Sequence, residues 1–410
     1  MTKREKNTYW ERHARRTTAI FVLVCLLTLD FLSANLYFLI YGSPWGFRRE
    51  ILNRAPEPGI ASPIYHHDLA KNAYFKNLKW GSEIYSVYTN SLGFRDKAVR
   101  DVPLKSDHRR ILFMGDSFTY GIGCDFPDTF AGLSNEALAE QGIEVLNAGV
   151  ESYSPTIYWR KTKSLLEDVG LRFDEMIVFI DISDVEDEAT RYFLNEKGNV
   201  VGYDAERLPP DATNRISQKS LLPPSTAQIV DRVGLLIKNN SILAFYVLFE
   251  IRRLWNAAAL RLVGIPNGLI GSKTINCRKS LWTIDKNIYE EYGQEGLWKC
   301  GFYMDKLNDL LRERGIDLTV AVYPWPDQIF HNDRDSIQVS FWKDWCQKHG
   351  ARFLDFFPYF LTGRTNSERE ALLDRYYVPG DVHWNKNGHR LVAKAFLKFY
   401  SKRSIQASSN

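Results

Sequence analysis

The chain has 410 residues, of which 45% are hydrophobic and 14% aromatic, and its formal net charge is +4. This length and composition predict a folded protein with a large core, too long for one minimal domain. Residues 1–17 hold six basic and two acidic side chains, an excess of +4 that equals the net charge of the whole chain. The remainder is therefore neutral, which argues against nucleic acid as a partner, because a binding domain would concentrate its basic excess in the folded part.

The segment 18–41 is almost continuously apolar and is long enough to cross a bilayer core, which takes about 20 helical residues. We predict one transmembrane helix there, in which Asp30 and Asn35 either face a partner helix or are tolerated in apolar surroundings. A cleaved signal peptide is less favoured, because no small-residue cleavage site follows. Basic residues are denser before the span than after it, so residues 1–17 are predicted to be cytoplasmic. The protein is then single-pass in the inner (cytoplasmic) membrane, with the rest of the chain in the periplasm.

Residues 42–82 are predicted to be a linker, because the four prolines among them favour a stiff extended chain. The adjacent His66, His67 and Asp68 have no second pair at ligand spacing, so we predict solvated side chains rather than a metal site. The following residues, 83–96, alternate aromatic and small polar side chains around a turn, which predicts an edge strand or a hairpin.

Helical and strand patterns then alternate on both sides of a long interruption. The strand patterns lie at 111–114, 144–147, 176–182, 316–323 and 352–355, and the helical patterns at 127–142, 155–169, 304–314, 336–349 and 387–399. This alternation predicts an α/β fold, a flavodoxin-like doubly wound sheet of five parallel strands. The two parts of this domain are residues 83–184 and 302–402, and residues 403–410 form a tail.

The interruption, residues 185–301, is too long for a loop and is predicted to be an insertion that forms its own subdomain or a lid. Residues 195–203 predict a small hairpin within it. Residues 233–263 mix arginines with leucines and a tryptophan, which fits either an interfacial helix on the membrane or a buried helix. Cys277 and Cys300 are the best candidates for a disulfide, with free thiols as the alternative.

The stretch GDSFTYG at 115–121 directly follows an apolar strand pattern. It would place Ser117 on a tight strand-to-helix turn at the carboxyl end of that strand, where open α/β sheets bind ligands. A serine there can expose its hydroxyl, and its own backbone N–H can point at an oxyanion. The alternative is a serine that only caps the next helix.

A serine nucleophile needs a base, and the base needs an orienting group. The stretch DVHWN at 381–385 directly precedes the terminal helical pattern. Asp381, two residues before His383, could hold the imidazole while the other ring nitrogen faces Ser117. A D-x-H triplet alone is usually an ordinary loop, so its weight comes from the pairing with GDS upstream.

Four short blocks follow one another along the chain: GDSFTYG at 115–121, NAGV at 147–150, DISD at 181–184 and DVHWNKNGH at 381–389. In this order they resemble the SGNH (GDSL-type) hydrolase superfamily. The resemblance implies the SGNH hydrolase fold with a serine nucleophile and no metal or cofactor.

Carried onto this sequence, the resemblance makes Ser117 the nucleophile, His383 the base, Asp381 its orienting group and the Gly149 N–H an oxyanion donor. The third block departs from the family pattern, because Ser183 stands where the family has an asparagine that donates to the oxyanion. One missing donor costs about 100- to 1,000-fold in rate. Either Ser183 or Asn147 would then help the N–H groups of Ser117 and Gly149 to hold the oxyanion.

Other polar residues near the blocks have structural interpretations. Asp116 is expected to accept backbone N–H bonds in its turn, and Asp181 and Asp184 are favoured as structural carboxylates over an acid pair. His389 is predicted to lie on the surface. The aromatic residues of YPWP at 323–326 fit stacking on a sugar ring, or turn and core packing, equally well.

The sequence therefore predicts a membrane-anchored SGNH-type ester hydrolase or O-acyltransferase. The expected substrates are O-acetyl groups of a periplasmic polysaccharide, or a small acyl ester. Water or a sugar hydroxyl as the acceptor separates hydrolase from transferase, and no residue decides between them. Two alternatives are a non-catalytic carbohydrate-binding or polysaccharide-assembly factor with the same fold, and a lipid esterase.

Overall fold

The structure is a computed structural model that describes residues 13–41, 58–81, 83–202 and 277–407. The chain divides into two compact units, Met1–Pro56 with Ala205–Asn267 and Glu57–Asp204 with Gly268–Asn410. In the first unit the described residues form helix α1 (Ala14–Tyr41), which exposes large apolar side chains between Ile20 and Leu32. Across the described ranges no helix is both long and apolar enough to cross a membrane, so the structure does not support the span predicted at 18–41.

The second unit contains the strands β1 (Gly59–Ser62), β2 (His66–Leu69), β3 (Tyr74–Trp80), β4 (Glu83–Thr89), β5 (Arg95–Asp96), β6 (Arg109–Gly115), β7 (Ile143–Asn147), β8 (Glu175–Ile180), β9 (Phe193–Leu194), β10 (Val200–Val201), β11 (Asp317–Val322) and β12 (Arg352–Asp355).

Its helices are α2 (Ser117–Tyr120), α3 (Phe130–Ala139), α4 (Pro155–Ser164), α5 (Asp184–Thr190), α6 (Lys286–Ile288), α7 (Gln294–Arg312), α8 (Pro326–Phe330), α9 (Ile337–His349), α10 (Phe357–Phe360), α11 (Asn366–Tyr376) and α12 (Lys386–Ala407). Single π-helical turns at Leu165–Val169 and Tyr289–Gly293 continue α4 and α6, and 3₁₀ turns lie at Phe126–Asp128 and Leu281–Thr283.

Eight strands form the main sheet, in the spatial order β12-β11-β8-β6-β7-β5-β4-β3. The five strands from β12 to β7 are parallel, and numbered along the chain their order is 5-4-3-1-2. This is the flavodoxin-like order, so the predicted doubly wound sheet is confirmed. The chain leaves β6 for β7 on one side and returns to β8 on the other, which puts the topological switch point at the carboxyl ends of β6 and β8.

Beyond their first charged residues, the central strands β6 and β8 are apolar and buried on both faces, as expected for parallel strands covered by helices. The predicted strands match the observed ones to within two residues, whereas helix ends differ more. The helix predicted at 304–314 begins ten residues earlier, at Gln294 in α7, and the terminal helix α12 runs to Ala407 into the predicted tail.

The segment predicted as a linker is part of the folded unit from β1 onward. β1 and β2 form a hairpin, and β3 pairs with β4 as an antiparallel extension of the main sheet. Of the edge strand or hairpin predicted at 83–96, the hairpin is observed as the pairing of β4 with β5, and β5 joins the parallel part through Arg95 opposite Asn147. Burial of Leu69 and Leu78 explains why this proline-containing stretch folds rather than remaining extended.

The described ends of the predicted insertion belong to the same unit as the sheet. The small hairpin is present as β9 and β10, and α7 packs so closely on α5 that a Cβ at Gly296 would lie 2.0 Å from the Val185 carbonyl oxygen. The rest of the insertion, with the helix predicted at 233–263, lies outside the described residues. Cys277 and Cys300 are both free thiols, so the disulfide between them is not formed.

Candidate active site

Ser117 is the first residue of α2 and is separated from the end of β6 by Asp116 alone. Gly115 ends that strand, and a Cβ there would lie 2.9 Å from the Phe179 carbonyl oxygen, so the close approach of β8 requires glycine. Asp116 caps α2, because its Oδ1 accepts a hydrogen bond from the Phe118 backbone N–H at 3.0 Å. The turn leaves Ser117 half-buried at the switch point of the sheet.

Arg95 holds the other end of α2. Its fully buried guanidinium donates hydrogen bonds to the carbonyl oxygens of Tyr120, Gly121 and Cys124, the one to Gly121 at 2.6 Å. The last carbonyls of a helix have no partner within the helix, so these bonds satisfy acceptors that would otherwise be buried unpaired. The position of the nucleophile turn therefore depends on β5 as well as on β6.

The loop between α11 and α12 carries Asp381 and His383. The Val378 N–H donates to the His383 carbonyl oxygen at 2.9 Å and the Asp381 N–H donates to the Val378 carbonyl oxygen at 3.0 Å, so the loop folds back on itself. Trp384 is fully buried, and the Asn385 side chain accepts hydrogen bonds from the first N–H groups of α12. These contacts fix the loop against the domain.

The structure brings Ser117, His383 and Asp381 into one hydrogen-bonded chain. His383 Nε2 lies 2.8 Å from Ser117 Oγ, and His383 Nδ1 contacts Asp381 Oδ1. The same Oδ1 accepts the His383 backbone N–H at 2.9 Å. Burial acts to raise the pKa of the Asp381 carboxyl, but its hydrogen bonds and charge interaction with His383 outweigh burial, and the net pKa lies below the ordinary value. An ionised Asp381 can thus hold the Nδ1–H tautomer and leave Nε2 as the acceptor for the serine proton.

Trp80, at the end of β3, is a neighbour of this chain that sequence reasoning missed. Its indole meets the His383 ring edge-on, with centroids 5.2 Å apart. Its buried Nε1 makes no hydrogen bond of ordinary geometry within the described residues, yet it lies close enough to Asp381 to help lower the pKa of that carboxyl. No motif marks it, because it comes from the stretch interpreted as a linker.

The predicted oxyanion donors differ in whether their N–H groups already have an acceptor within the protein. The Gly149 N–H donates to Asn147 Oδ1 at 3.1 Å, and Asn147 Nδ2 donates to the Thr119 carbonyl oxygen at 2.8 Å, so the buried amide of Asn147 is engaged at both ends. Ser183 is half-buried and its backbone N–H donates to Asp181 Oδ1 at 2.6 Å. The Ser117 N–H, at the start of α2, has no acceptor among the described residues.

Behind Ser117 lies a cluster of three buried carboxyl groups, Asp116, Asp181 and Asp184, which have oxygens within 4.8 Å of one another. They come from the carboxyl ends of β6 and β8. Burial, reinforced for Asp116 by the neighbouring Asp181, raises the pKa of all three, and those of Asp116 and Asp184 lie well above the ordinary value. The sequence suggested that these residues are structural carboxylates. That they form one cluster could not be predicted from it, because the cluster forms only where β6 and β8 are neighbours in the sheet.

Neutral donors satisfy most of this cluster, and among the described residues only Asp184 Oδ1 of its six carboxyl oxygens has no hydrogen-bond partner. Tyr323 donates to Asp116 Oδ1 at 3.0 Å, Trp325 Nε1 to Asp181 Oδ2 at 2.6 Å, and Tyr158 to Asp184 Oδ2 at 2.8 Å. Such an arrangement fits protonated carboxyls better than cation ligands, because most of the carboxyl oxygens already accept hydrogen bonds. Tyr323 and Trp325 are buried, so they are packed in the core and not open to a sugar ring.

Two predictions for histidine and acidic residues are wrong. His389 is fully buried, and its Nδ1 accepts the Phe130 backbone N–H at 3.3 Å. Asp68 is also buried, 2.8 Å from the fully buried Lys161 Nζ, while His67 Nε2 lies 2.7 Å from the Glu151 carbonyl oxygen. These side chains therefore fix β2 and α12 to the domain instead of meeting solvent.

No family model and no curated protein matches this chain. Solved structures to which it is similar include a protein described as lipolytic and of the G-D-S-L family from Desulfitobacterium hafniense, with 10% identity over 70% of this chain and 96% of that one and a TM-score of 0.33. The lipase/acylhydrolase of Enterococcus faecalis has 11% identity, 72% and 96% coverage and a TM-score of 0.34. A catalytic mutant of an acetylxylan esterase from Geobacillus stearothermophilus has 12% identity, 72% and 95% coverage and a TM-score of 0.35. Similarity at this level decides neither substrate nor mechanism.

Proposed function

We propose that the protein is a serine enzyme that cleaves or transfers acyl groups from esters, with Ser117 as nucleophile, His383 as general base and Asp381 as its orienting group. The observation that carries this proposal is the continuous chain from Ser117 Oγ through the two nitrogens of His383 to Asp381 Oδ1. A serine hydroxyl is a weak nucleophile by itself, and this chain supplies the base and the orienting group that activation requires.

In the first half-reaction Ser117 Oγ bonds to the ester carbonyl carbon as its hydrogen passes to His383 Nε2. The ionised Asp381 stabilises the imidazolium, and in this proposal the backbone N–H of Ser117 donates to the oxyanion. His383 then returns the proton to the departing alcohol oxygen, which leaves an acyl group on Ser117. General base catalysis of this kind contributes about 10²- to 10⁴-fold.

In the second half-reaction His383 removes a proton from the acceptor, which attacks the acyl carbon. The bond from that carbon to Ser117 Oγ then breaks as His383 returns the proton to Oγ. Water as acceptor makes the enzyme a hydrolase, and a sugar hydroxyl makes it a transferase. Gly149, together with either Ser183 or Asn147, supplies the further oxyanion donors that we propose from the motif resemblance. For Gly149 this requires its N–H to be shared between Asn147 and the oxyanion, because Asn147 already accepts it at 3.1 Å. The O-acetyl group of a polysaccharide is the substrate that the resemblance favours.

The proposed location is outside the cytoplasm, with the chain attached to a membrane through α1. The basic N-terminal residues and the exposed apolar side chains of α1 support this location. The full chain should remain with membranes after washing at high salt, and a reporter that is active only in the cytoplasm should stay silent when fused after residue 410. An active reporter contradicts this location. So does a chain that the high-salt wash removes from membranes, even if its reporter is silent.

The enzyme assignment is tested with a fluorophosphonate probe and a small activated acetyl ester on the full chain. Wild-type protein should be labelled and should turn over the ester, whereas Ser117→Ala and His383→Ala should each lose nearly all turnover, because residues that act as one unit fail together. Ser117→Ala should also lose labelling. The matched controls are Ser367→Ala and His108→Ala, which alter exposed side chains.

Equal circular dichroism spectra and unfolding midpoints would show that the site variants remain folded. Labelling of folded Ser117→Ala at the wild-type rate, or its full turnover of the ester, contradicts the enzyme assignment. A folded wild-type protein that neither reacts with the probe nor turns over the ester would favour a non-catalytic carbohydrate-binding or assembly factor.

A further inference from the structure

We propose that Asp116 works as a neutral acid whose carboxyl O–H donates a hydrogen bond to Ser117 Oγ and thereby directs the serine hydroxyl hydrogen toward His383. This inference rests on the proposed nucleophilic role of Ser117 and assigns a positioning residue to that site. The atoms concerned are Asp116 Oδ2 and Ser117 Oγ, which lie 3.2 Å apart.

Counting hydrogens leads to this assignment. Ser117 Oγ carries one hydrogen and lies within hydrogen-bond distance of two groups, His383 Nε2 at 2.8 Å and Asp116 Oδ2 at 3.2 Å. General base catalysis requires that hydrogen on the line to His383. The contact with Asp116 is then favourable only if Oδ2 carries a proton, because two bare lone pairs repel each other.

The other oxygen of Asp116 fixes which oxygen bears the proton. Oδ1 accepts the Phe118 backbone N–H at 3.0 Å and the Tyr323 hydroxyl at 3.0 Å, so it is an acceptor on both counts. Only Oδ2 remains for a proton, and it is the oxygen that faces Ser117. The capping role of Asp116 and its donation to Ser117 are thus compatible in one side chain.

The surroundings of Asp116 keep it neutral. Asp181 and Asp184 lie against it, and in the described part of the chain none of the three carboxyls forms an ion pair with lysine or arginine. Three adjacent negative charges in a buried site would be strongly unfavourable, so the cluster retains protons. Asp181 is the best site for one negative charge, because Ser183 and Trp325 donate to its two oxygens.

The titratable groups that face Asp116 come from several elements. They are Asp181 and Asp184 beyond β8, Tyr323 after β11, Tyr158 on α4 and His383 on the loop before α12. Burial raises the pKa of both tyrosines, so their hydroxyls stay protonated and add no charge. Loss of the Asp116 proton at high pH would leave a carboxylate that competes with His383 for the serine hydrogen, and turnover should fall.

Asp116→Asn tests the assignment. The Phe118 N–H and the Tyr323 hydroxyl require an acceptor, so the asparagine should place its amide oxygen there and its NH₂ on Ser117. The variant then has a donor that cannot ionise. Turnover at neutral pH should fall by no more than about tenfold, the worth of one neutral hydrogen bond. Asp116→Ala, which lacks the donor and the cap, should fall at least tenfold further.

The pH profile separates this role from a purely structural one. Wild-type kcat/KM should decline at alkaline pH by about tenfold per pH unit, as expected for the loss of one proton, whereas Asp116→Asn should lack that decline. Infrared spectra at neutral pH should show a protonated carboxyl C=O band in the wild type that is missing in Asp116→Asn. The control Asp335→Asn removes an exposed carboxylate and should lose carboxylate bands instead.

Loss of carboxylate bands in Asp116→Asn, or an alkaline decline equal to that of the wild type, overturns the assignment. So does folded Asp116→Asn with turnover as low as Asp116→Ala. Failure of the proposed function would be visible separately, since either the wild type would show no turnover or Ser117→Ala would keep the wild-type turnover. If Ser117→Ala is inactive and any of the three adverse results is found, the role of Asp116 is refuted and the enzyme assignment stands.

Discussion

The side chain of Asp381 uses one oxygen for two tasks, and this geometry predicts how a substitution will behave. Oδ1 accepts both the His383 backbone N–H at 2.9 Å and the ring Nδ1 contact. In Asp381→Asn the backbone N–H should keep the amide oxygen in that place, because the NH₂ group would meet another donor there. The histidine tautomer is then preserved and only the negative charge is lost.

We therefore expect kcat of Asp381→Asn to fall by about 10- to 1,000-fold, less than the roughly 10⁴-fold loss expected where the amide imposes the wrong tautomer. Turnover of the activated acetyl ester checks this, with His383→Ala as the reference for complete loss of the base. A decrease equal to that of His383→Ala would mean that the asparagine amide is flipped, with its NH₂ group toward His383, and that the histidine has the opposite tautomer.

Apart from the pairing of Ser117 with His383, which was inferred from two motifs 266 positions apart, the residues that could be placed from the sequence lie near one another in the chain. The D-x-H triplet and the G-D-S turn are short, so their geometry follows from local backbone preferences. By contrast, His389 was predicted at the surface and is buried, because the neighbour that covers it, Phe130, is 259 positions away. The pairing of Asp68 with Lys161 over 93 positions and the contact of Trp80 with His383 were missed for the same reason.

At the level of elements, the loop after β7 packs against the nucleophile helix at Gly149. A Cβ at this glycine would lie 2.7 Å from Thr119 Cβ and 2.8 Å from the Tyr120 backbone nitrogen, so α2 would have to move. Overpacking of this kind costs about 1–3 kcal/mol, and a 1 Å displacement of a reacting group costs about 100-fold in rate. Gly149→Ala should lower both the free energy of unfolding and kcat by about these amounts.

Urea denaturation and ester turnover check this expectation, with Gly59→Ala as control, since a Cβ there meets no atom within 4 Å. A destabilised Gly149→Ala with wild-type kcat would show that the loop, rather than α2, moves.

The strands were easier to predict than the regions around them. Parallel strands buried on both faces form unbroken apolar runs, so their positions and their doubly wound order could be inferred from the alternation with helices. The antiparallel strands β3 and β4 are half-exposed and mix polar with aromatic residues, and β3 lies in a stretch whose nearby prolines suggested a linker. These strands place Trp80 beside His383 only because they pair with the main sheet, and no local sequence pattern predicts that pairing.

For the whole molecule, the stability depends on pH through buried groups that must change protonation on unfolding. Burial lowers the pKa of His389 from 6.5 to about 3. The native state keeps this residue neutral, whereas the unfolded chain takes up a proton as the pH falls through 6.5. Its contribution is therefore fully present above pH 6.5 and is lost between pH 6.5 and about 3, because the unfolded state binds more protons in that window.

His389→Asn removes this titration. One proton is worth about 1.4 kcal/mol per pH unit, so the free energy of unfolding of the variant relative to wild type should rise by about 3 kcal/mol between pH 7 and pH 4.5. The variant should be the less stable protein at pH 7, because the smaller asparagine loses the ring contacts of His389 with Phe130 and Trp384. Buried acids with a raised pKa, such as Asp184, act in the opposite direction, but they are common to both proteins and cancel in the difference. Urea denaturation at both pH values measures this difference in the free energy of unfolding, with the exposed His108→Asn as control. Parallel curves for His389→Asn and wild type would mean that His389 becomes protonated in the native state near its ordinary pKa, and hence that α12 gives water access to this ring.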